Sequence, residues 1–202
     1  MASARLYAIT PDASPEAIEG LVTAWLRGGV DVVQLRHKSL PRGRLLALAR
    51  RLVDVCREAE ALFIVNDHLD LALLCGADGV HLGPDDLSVL AARKVAGPAL
   101  LLGASASTPT AGVTAEREGA DYLGTGPTYQ TPIKTEKRVI GPQGVAAVQA
   151  AVKVPVFAIG GLDRARLPEV VAAGVRRVCL IRGLSTAADP EAEAWSLKAM
   201  LS

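Results

Sequence analysis

Seven charged residues fall just beyond short apolar runs and could do chemistry together: Arg36, Lys38, Lys134 and Arg182, with Asp67, Asp85 and Asp86. Lysine and arginine neutralise phosphate oxygens. Magnesium takes one or two carboxylates and completes its shell with water and phosphate oxygens. Cations beside paired carboxylates therefore suggest a diphosphate bridged to the protein by magnesium. Arg36 and Lys38 are two residues apart, so on an extended segment they face the same way. Gly160-Gly161 would let backbone N–H groups approach a second phosphate closely. The sequence thus offers one diphosphate-like and one monophosphate-like anion site. It shows no Ser/His/Asp or Cys/His arrangement for nucleophilic catalysis.

Each of these residues also has a plainer reading. Asp67 precedes a helical stretch and suits an N-cap, and Asp85 or Asp86, Asp85 the better of the two, suits the cap of the next helix. Arg36 and Lys38 suit a solvated rim. His81, among apolar strand neighbours, reads as a packed, hydrogen-bonded histidine rather than a base, and His37 and His68 read as surface residues. Ser105 suits a tight barrel mouth, Gly160-Gly161 suits close packing, and Cys179 reads as a buried apolar side chain.

The elements that must position these groups alternate along the whole chain. Strands are predicted at 6–10, 31–36, 62–66, 79–82, 100–103, 122–124, 154–159 and 177–181. They are apolar on both faces, as in a parallel sheet covered by helices. Helices are predicted near 15–28, 41–60, 68–75, 87–96, 109–119, 143–152, 163–173 and 189–200. Ser14-Pro15 and Asp189-Pro190 read as helix starts. Gly28-Gly29, Gly76, Gly97, Gly119 and Gly174 read as helix stops. Leu45, Leu48, Ala49, Leu52, Val53 and Cys56 recur at helical spacing.

Eight βα units predict a single (β/α)8 TIM barrel domain over residues 1–202. A doubly wound open sheet is the alternative, but no GxGxxG opens the first βα turn. In a barrel the site forms at the C-terminal ends of the strands, where Gln34, Arg36, Lys38, Asn66, Asp67, Asp86, Ser105, Thr131, Lys134, Gly161 and Arg182 all fall. The longest irregular stretch is 126–142.

Composition narrows the class further. Half of the 202 residues are apolar and 21% are charged, so the chain can bury a core. Twenty-two Lys+Arg against 21 Asp+Glu give a net charge of +1, which argues against nucleic acid as the main partner. Aromatics, at 3%, are too few for a base-stacking surface. Three scattered cysteines without CxxC spacing argue against a disulfide framework and a cysteine zinc site. With no apolar run near membrane-spanning length and no signal-peptide pattern, the expectation is a cytoplasmic protein without a membrane partner. A homo-oligomer stays open.

Together the strand-end motifs resemble the thiamine-phosphate synthase family, from Leu6 to about Leu184. They are Val33-Gln34-Leu35-Arg36-His37-Lys38, Val65-Asn66-Asp67, Gly76-Ala77-Asp78-Gly79-Val80-His81-Leu82-Gly83 with Asp86, Gly119-Ala120-Asp121-Tyr122-Leu123-Gly124 with Gly126-Pro127, Thr131 followed by Lys134, and Ala158-Ile159-Gly160-Gly161. The resemblance implies a transferase of thiamine biosynthesis. It would join an aminopyrimidine methyl diphosphate to a thiazole phosphate, releasing pyrophosphate and forming thiamine phosphate. It implies that Gln34 and Ser105 meet the pyrimidine, and that Arg36, Lys38, Asn66 and Lys134 contact the diphosphate. Asp67 and Asp86 would be the Mg²⁺ ligands. Thr131, Pro132, Ile133, Gly161, Ile181 and Arg182 would form the thiazole-phosphate side. Arg36, Lys38, Lys134 and Ser105 carry the catalytic expectation.

Two positions depart from the family pattern: Ile133 stands where threonine is usual, and Arg182 where a small serine is usual. The related thiazole tautomerases use a histidine shortly after strand 5, where this chain reads Ser105-Ala106-Ser107. A tautomerase-like or altered-specificity paralogue is the alternative, and a non-catalytic phosphate-ligand binder is a second.

Overall fold

The computed structural model of the chain describes residues 1–131 and 138–202. Its strands are β1 (Leu6–Ile9), β2 (Val32–Leu35), β3 (Leu62–Asn66), β4 (Gly79–Leu82), β5 (Leu101–Ser105), β6 (Tyr122–Thr125), β7 (Val156–Ile159) and β8 (Val178–Leu180). All pair in parallel, and β1 pairs with β8, so the sheet closes into an eight-stranded barrel. The open-sheet alternative falls with that closure. The helices are α1 (Pro15–Arg27), α2 (Arg42–Glu58), α3 (Leu69–Cys75), α4 (Val89–Ala96), α5 (Pro109–Arg117), α6 (Gly141–Ala151), α7 (Leu167–Ala172), α8 (Arg182–Ser185) and α9 (Pro190–Met200).

Strand alternation divides the core into two. Outward residues such as Val33, Val65, Val80, Leu102, Leu123 and Ala158 pack with the helices in one large cluster. It takes in the α2 stripe of Leu45, Leu48, Ala49, Leu52, Val53 and Cys56. Inward residues Tyr7, Ile9, Val32, Ile64, Tyr122, Phe157 and Cys179 form a second cluster inside the barrel. Burying each large apolar side chain contributes roughly 1.5–3 kcal/mol, so both faces of every strand stabilise the closed sheet.

The N-terminal ends of the strands are stapled by carboxylates. Asp31, just before β2, accepts the N–H groups of Arg5 and Leu6 at 2.7 and 2.9 Å and pairs with Lys198. Asp78, before β4, accepts the N–H of Phe63 at 2.7 Å. Asp121, before β6, accepts the N–H of Leu102 at 2.8 Å and pairs with Arg93. Glu116 accepts the N–H groups of Lys153 and Val154, leading into β7, at 2.7 and 3.1 Å. Before β8 the corresponding position is Arg177, whose guanidinium donates to the Ala2 carbonyl at 2.8 Å.

Several expectations are corrected. The cap of α4 is Ser88, whose hydroxyl accepts the Ala91 N–H at 3.2 Å, so neither Asp85 nor Asp86 caps that helix. The residue capping α3 is His68, without a side-chain bond, so Asp67 is not a helix cap either. Residues 163–166 form a turn closed by the Asp163 carboxylate on the Arg166 N–H, which delays α7 to Leu167. Helix α8 has no counterpart among the predicted helices. By contrast, Ser14 and Asp189 do cap α1 and α9, accepting from Ala17 and Ala192.

Candidate active site

The inward positions at the C-terminal strand ends make the floor of the site. β2 supplies Gln34, β3 Asn66, β4 His81, β5 Ser105 and β6 Gly124. Register places Asn66 opposite His81, His81 opposite Gly103, and Ser105 opposite Gly124. Gln34 is buried and its Nε2 donates to the Tyr7 hydroxyl at 2.7 Å.

Beyond Gln34 the chain stays extended long enough to aim two cations. Thr10 makes this possible. Its hydroxyl donates to the Arg36 carbonyl at 3.0 Å and accepts the Arg36 N–H at 2.9 Å. A side chain thus continues the β1–β2 ladder for one more residue. Asp12 holds the next step, accepting the Lys38 N–H at 2.7 Å and lying 3.8 Å from the Arg36 guanidinium. Neither Thr10 nor Asp12 was singled out from the sequence. The only signal for Asp12 is its place in a Pro-Asp turn after the first strand.

His37 corrects the expectation of a surface histidine. Its side chain is only 8% exposed. Its Nδ1 accepts the Leu40 N–H at 3.0 Å and its Nε2 lies 3.0 Å from the Ala13 carbonyl. The imidazole therefore ties the loop after β2 to the loop after β1, and Arg36 and Lys38 flank it in the chain.

Asp67 adopts a left-handed backbone, φ +63°, with its N–H on the His81 carbonyl at 2.9 Å. Aspartate is among the few non-glycine residues that tolerate this region. Burial raises the pKa of its carboxyl above the usual aspartate value, and the adjoining Asp86 carboxyl raises it further by hydrogen bonding and repulsion. Asp86 is itself fixed, accepting the Gly83 N–H at 2.7 Å through one oxygen. The two acids from neighbouring strand ends thus meet. A cation between them relieves their repulsion, and two hard carboxylates suit magnesium. Among the described residues no group of three or more His, Cys, Asp or Glu side chains could hold a metal.

Lys38, Asn66 and Asp67 line one cavity of about 240 Å³ with Leu35, His37, Leu45 and His68. A larger cavity, about 390 Å³, lies at the opposite end between α3 and α4. Its lining is mainly apolar, from residues such as Leu73, Ala96, Leu100 and Leu101, and offers no cation. The smaller one has Lys38, Asn66 and Asp67 in its lining.

On the other side of the mouth, Gly160 and Gly161 have φ of +98° and +66°. A Cβ on Gly161 would lie 2.7 Å from the Gln130 carbonyl oxygen, and one on Gly160 2.8 Å from Pro127. The loop after β6 packs directly on this pair, with the Tyr129 N–H on the Gly160 carbonyl at 2.9 Å. Close packing is thus one role of these glycines. Thr131 is half-buried at the end of the described part of that loop. Ile181 is half-buried, and Arg182, exposed, opens α8 directly after β8. Pro132, Ile133 and Lys134 lie outside the described residues.

His81 and Ser105 are joined, His81 Nε2 to Ser105 Oγ at 3.1 Å, and His81 Nδ1 lies 3.3 Å from the Tyr122 hydroxyl. Tyr122 and Tyr7 hydroxyls lie 3.0 Å apart. Burial raises the pKa of both phenols.

The family profile described as thiamine monophosphate synthase matches residues 6–184. The chain belongs to the thiamine monophosphate synthase family. It is 46% identical over 199 residues to a thiamine-phosphate synthase of Gloeobacter violaceus, covering 98% of this chain but 58% of that longer protein. It is 41% identical over 182 residues to the Chlorobium luteolum thiamine-phosphate synthase, covering 90% of this chain and 86% of that one. Among solved structures, the thiamine phosphate pyrophosphorylase of Pyrococcus furiosus superposes with a TM-score of 0.89 at 34% identity. That match covers 98% of this chain and 95% of the other. These comparisons support thiamine phosphate synthesis over the tautomerase-like and non-catalytic alternatives.

Proposed function

We propose that this barrel joins an aminopyrimidine methyl diphosphate to a thiazole phosphate in a magnesium-dependent transfer, releasing pyrophosphate and forming thiamine phosphate. The observation that carries the magnesium–diphosphate half is the meeting of Asp67 and Asp86 beside the cavity that Lys38 and Asn66 line. In this reading Asp67 and Asp86 hold the metal, and Gln34 and Ser105 orient the pyrimidine. Arg36, Lys38 and Asn66, with Lys134 beyond the described residues, contact the diphosphate. When bound, magnesium neutralises charge on the phosphate oxygens.

The chain's own groups then act by placement. The carbon–oxygen bond to the diphosphate breaks, and the diphosphate leaves with both electrons. The electron-rich aminopyrimidine ring stabilises the resulting benzylic-type cation, and the thiazole nitrogen captures it. No protein nucleophile is needed. Arg36 and Lys38 offset the negative charge that grows on the departing oxygen, where one preorganised contact is worth roughly 10²–10³ in rate. Thr131, Pro132, Ile133, Gly161, Ile181 and Arg182 form the thiazole-phosphate side. Lys38 and Asp86 are exposed, Arg36 is only partly so, and buried Gln34 closes the floor, an arrangement that seats a charged diphosphate at the rim and a ring below it.

The test is Asp67→Asn. Asparagine tolerates the left-handed backbone, so folding is expected to stay intact. Turnover at limiting Mg²⁺, read as thiamine phosphate by mass spectrometry, is expected to fall at least tenfold, in keeping with loss of a metal ligand. Wild-type turnover under those conditions would remove the metal assignment.

A further inference from the structure

Gln34 and Ser105 stand three strands apart, yet one run of hydrogen bonds joins them beneath the mouth. It passes from Gln34 Nε2 to the Tyr7 hydroxyl at 2.7 Å, and from Tyr7 to the Tyr122 hydroxyl at 3.0 Å. From there it reaches His81 Nδ1 at 3.3 Å, and leaves from His81 Nε2 to Ser105 Oγ at 3.1 Å. The barrel is shaped for this run. A Cβ on Gly103 would lie 2.1 Å from Tyr122 Cζ and 2.6 Å from His81 Nδ1, and one on Gly124 3.1 Å from His81 Cε1. Two glycines on β5 and β6 thus leave the berth in which the imidazole reaches both neighbours.

Proton counting gives the run a direction. Each phenol has one proton to donate. Tyr7 accepts from Gln34, and its own buried proton needs an acceptor, which the Tyr122 oxygen at 3.0 Å supplies. Tyr122 then donates to His81 Nδ1, and a neutral imidazole that accepts at Nδ1 carries its proton on Nε2. That proton is given to Ser105, whose hydroxyl proton is left to point elsewhere. Gln34 has meanwhile given one of its two amide N–H groups to Tyr7, which fixes the amide's orientation and leaves its other N–H and its carbonyl oxygen.

We propose that Tyr7, Tyr122 and His81 are positioning residues that fix the hydrogen-bond polarity of the pyrimidine site, with the Gln34 amide held in one orientation and a donor at Ser105. The remaining Gln34 oxygen and N–H, with the Ser105 donor, complement an aminopyrimidine, which offers an amino donor and ring-nitrogen acceptors. The inference rests on the pyrimidine roles proposed above for Gln34 and Ser105.

Two measurements on the full chain test it. Side-chain ¹⁵N spectra, with the His81 signal assigned by its loss in His81→Gln, are expected to show a protonated Nε2 and a bare Nδ1. The opposite tautomer, or an averaged one, overturns the proposal. Calorimetric titration then compares the aminopyrimidine alcohol, which lacks the diphosphate, with pyrophosphate. Tyr122→Phe and His81→Leu are each expected to weaken the alcohol about tenfold, the worth of one good hydrogen bond, and to leave pyrophosphate unchanged. His81→Gln, which restores an N–H toward Ser105, is expected to recover part of that loss. Equal losses for both ligands would mark a merely structural role and overturn the proposal. If Gln34→Ala binds the alcohol as the wild type does, the parent reading fails. If Gln34→Ala loses affinity while Tyr122→Phe keeps it, the relay alone fails.

Discussion

The two ends of this barrel spend their carboxylates differently. At the N-terminal end, Asp31, Asp78, Asp121 and Glu116 are consumed by backbone N–H groups of a neighbouring strand or its lead-in, and two of them also pair with cations. At the C-terminal end, Asp67 and Asp86 meet each other instead, with Asp86 using one oxygen on its own turn. Like charges brought together without a counter-charge cost stability. In the proposed function the magnesium ion supplies the missing charge at that end. The acids at the N-terminal end bond the backbone of another strand or its lead-in, whereas Asp67 and Asp86 lie against each other.

Breaking the site end is expected to give the largest effect. Lys38→Ala removes a side chain from the rim of the diphosphate cavity but leaves its backbone bond to Asp12. A fall in kcat/KM of roughly 10²–10³ is expected, with a melting temperature within about 2 °C of wild type because the lysine is exposed. Steady-state assay and calorimetry on the same preparation check both halves. A large melting shift would blur the division between the ends.

The opposite substitution is Asp121→Ala. It strips Arg93 of its anion and the Leu102 N–H of its acceptor, at a cost of about 1–2 kcal/mol since water replaces part of the loss. For a chain of this size that is a drop of roughly 2–8 °C in melting temperature, with kcat per folded molecule unchanged. Lost activity at a temperature where the variant is fully folded would contradict it.

The smallest effect sharpens the comparison inside the site end. Arg182, if it meets the thiazole phosphate, does so as an exposed charge, and exposed pairs are weak. Arg182→Ser is expected to raise KM for the thiazole phosphate about threefold to fivefold with little change in kcat. A level or lower KM would show that Arg182 is no productive ligand and would favour altered specificity on that side.

The barrel was legible because eight short, doubly apolar strands alternate with helices and leave few other arrangements. The positions of Gln34, Asn66, Ser105 and Gly161 at strand ends followed from that alone. What was illegible depended on closure or on local backbone. Tyr7 and Tyr122 lie on strands 115 positions apart in the chain, so no spacing announces their contact. Helix α8 is four residues long and contains Gly183, too short for a helical period to register. The capping choice at α4 went to Ser88 because Asp86 turns back onto the Gly83 N–H, a competition that composition does not decide. Gly76-Ala77-Asp78 and Gly119-Ala120-Asp121 are plain repeats in the sequence, yet the strand each carboxylate serves appears only with the sheet in register.

The staples also bear on where the chain tolerates new ends. Asp31 ties β2 to β1, Asp78 ties β4 to β3, and Asp121 ties β6 to β5. The strands from β1 to β6 are thus clasped in twos, and the connections before β3 and before β5 carry no such clasp between an aspartate and the preceding strand. A circular permutant opened at one of those connections keeps each clasp within a continuous segment. One opened between β3 and β4 leaves Asp78 to find its strand from the far end of the chain, so its refolding yield should be the lower of the two. Six of the eight strands are in this sense joined as three modules of two, with their clasps at the N-terminal ends of the strands.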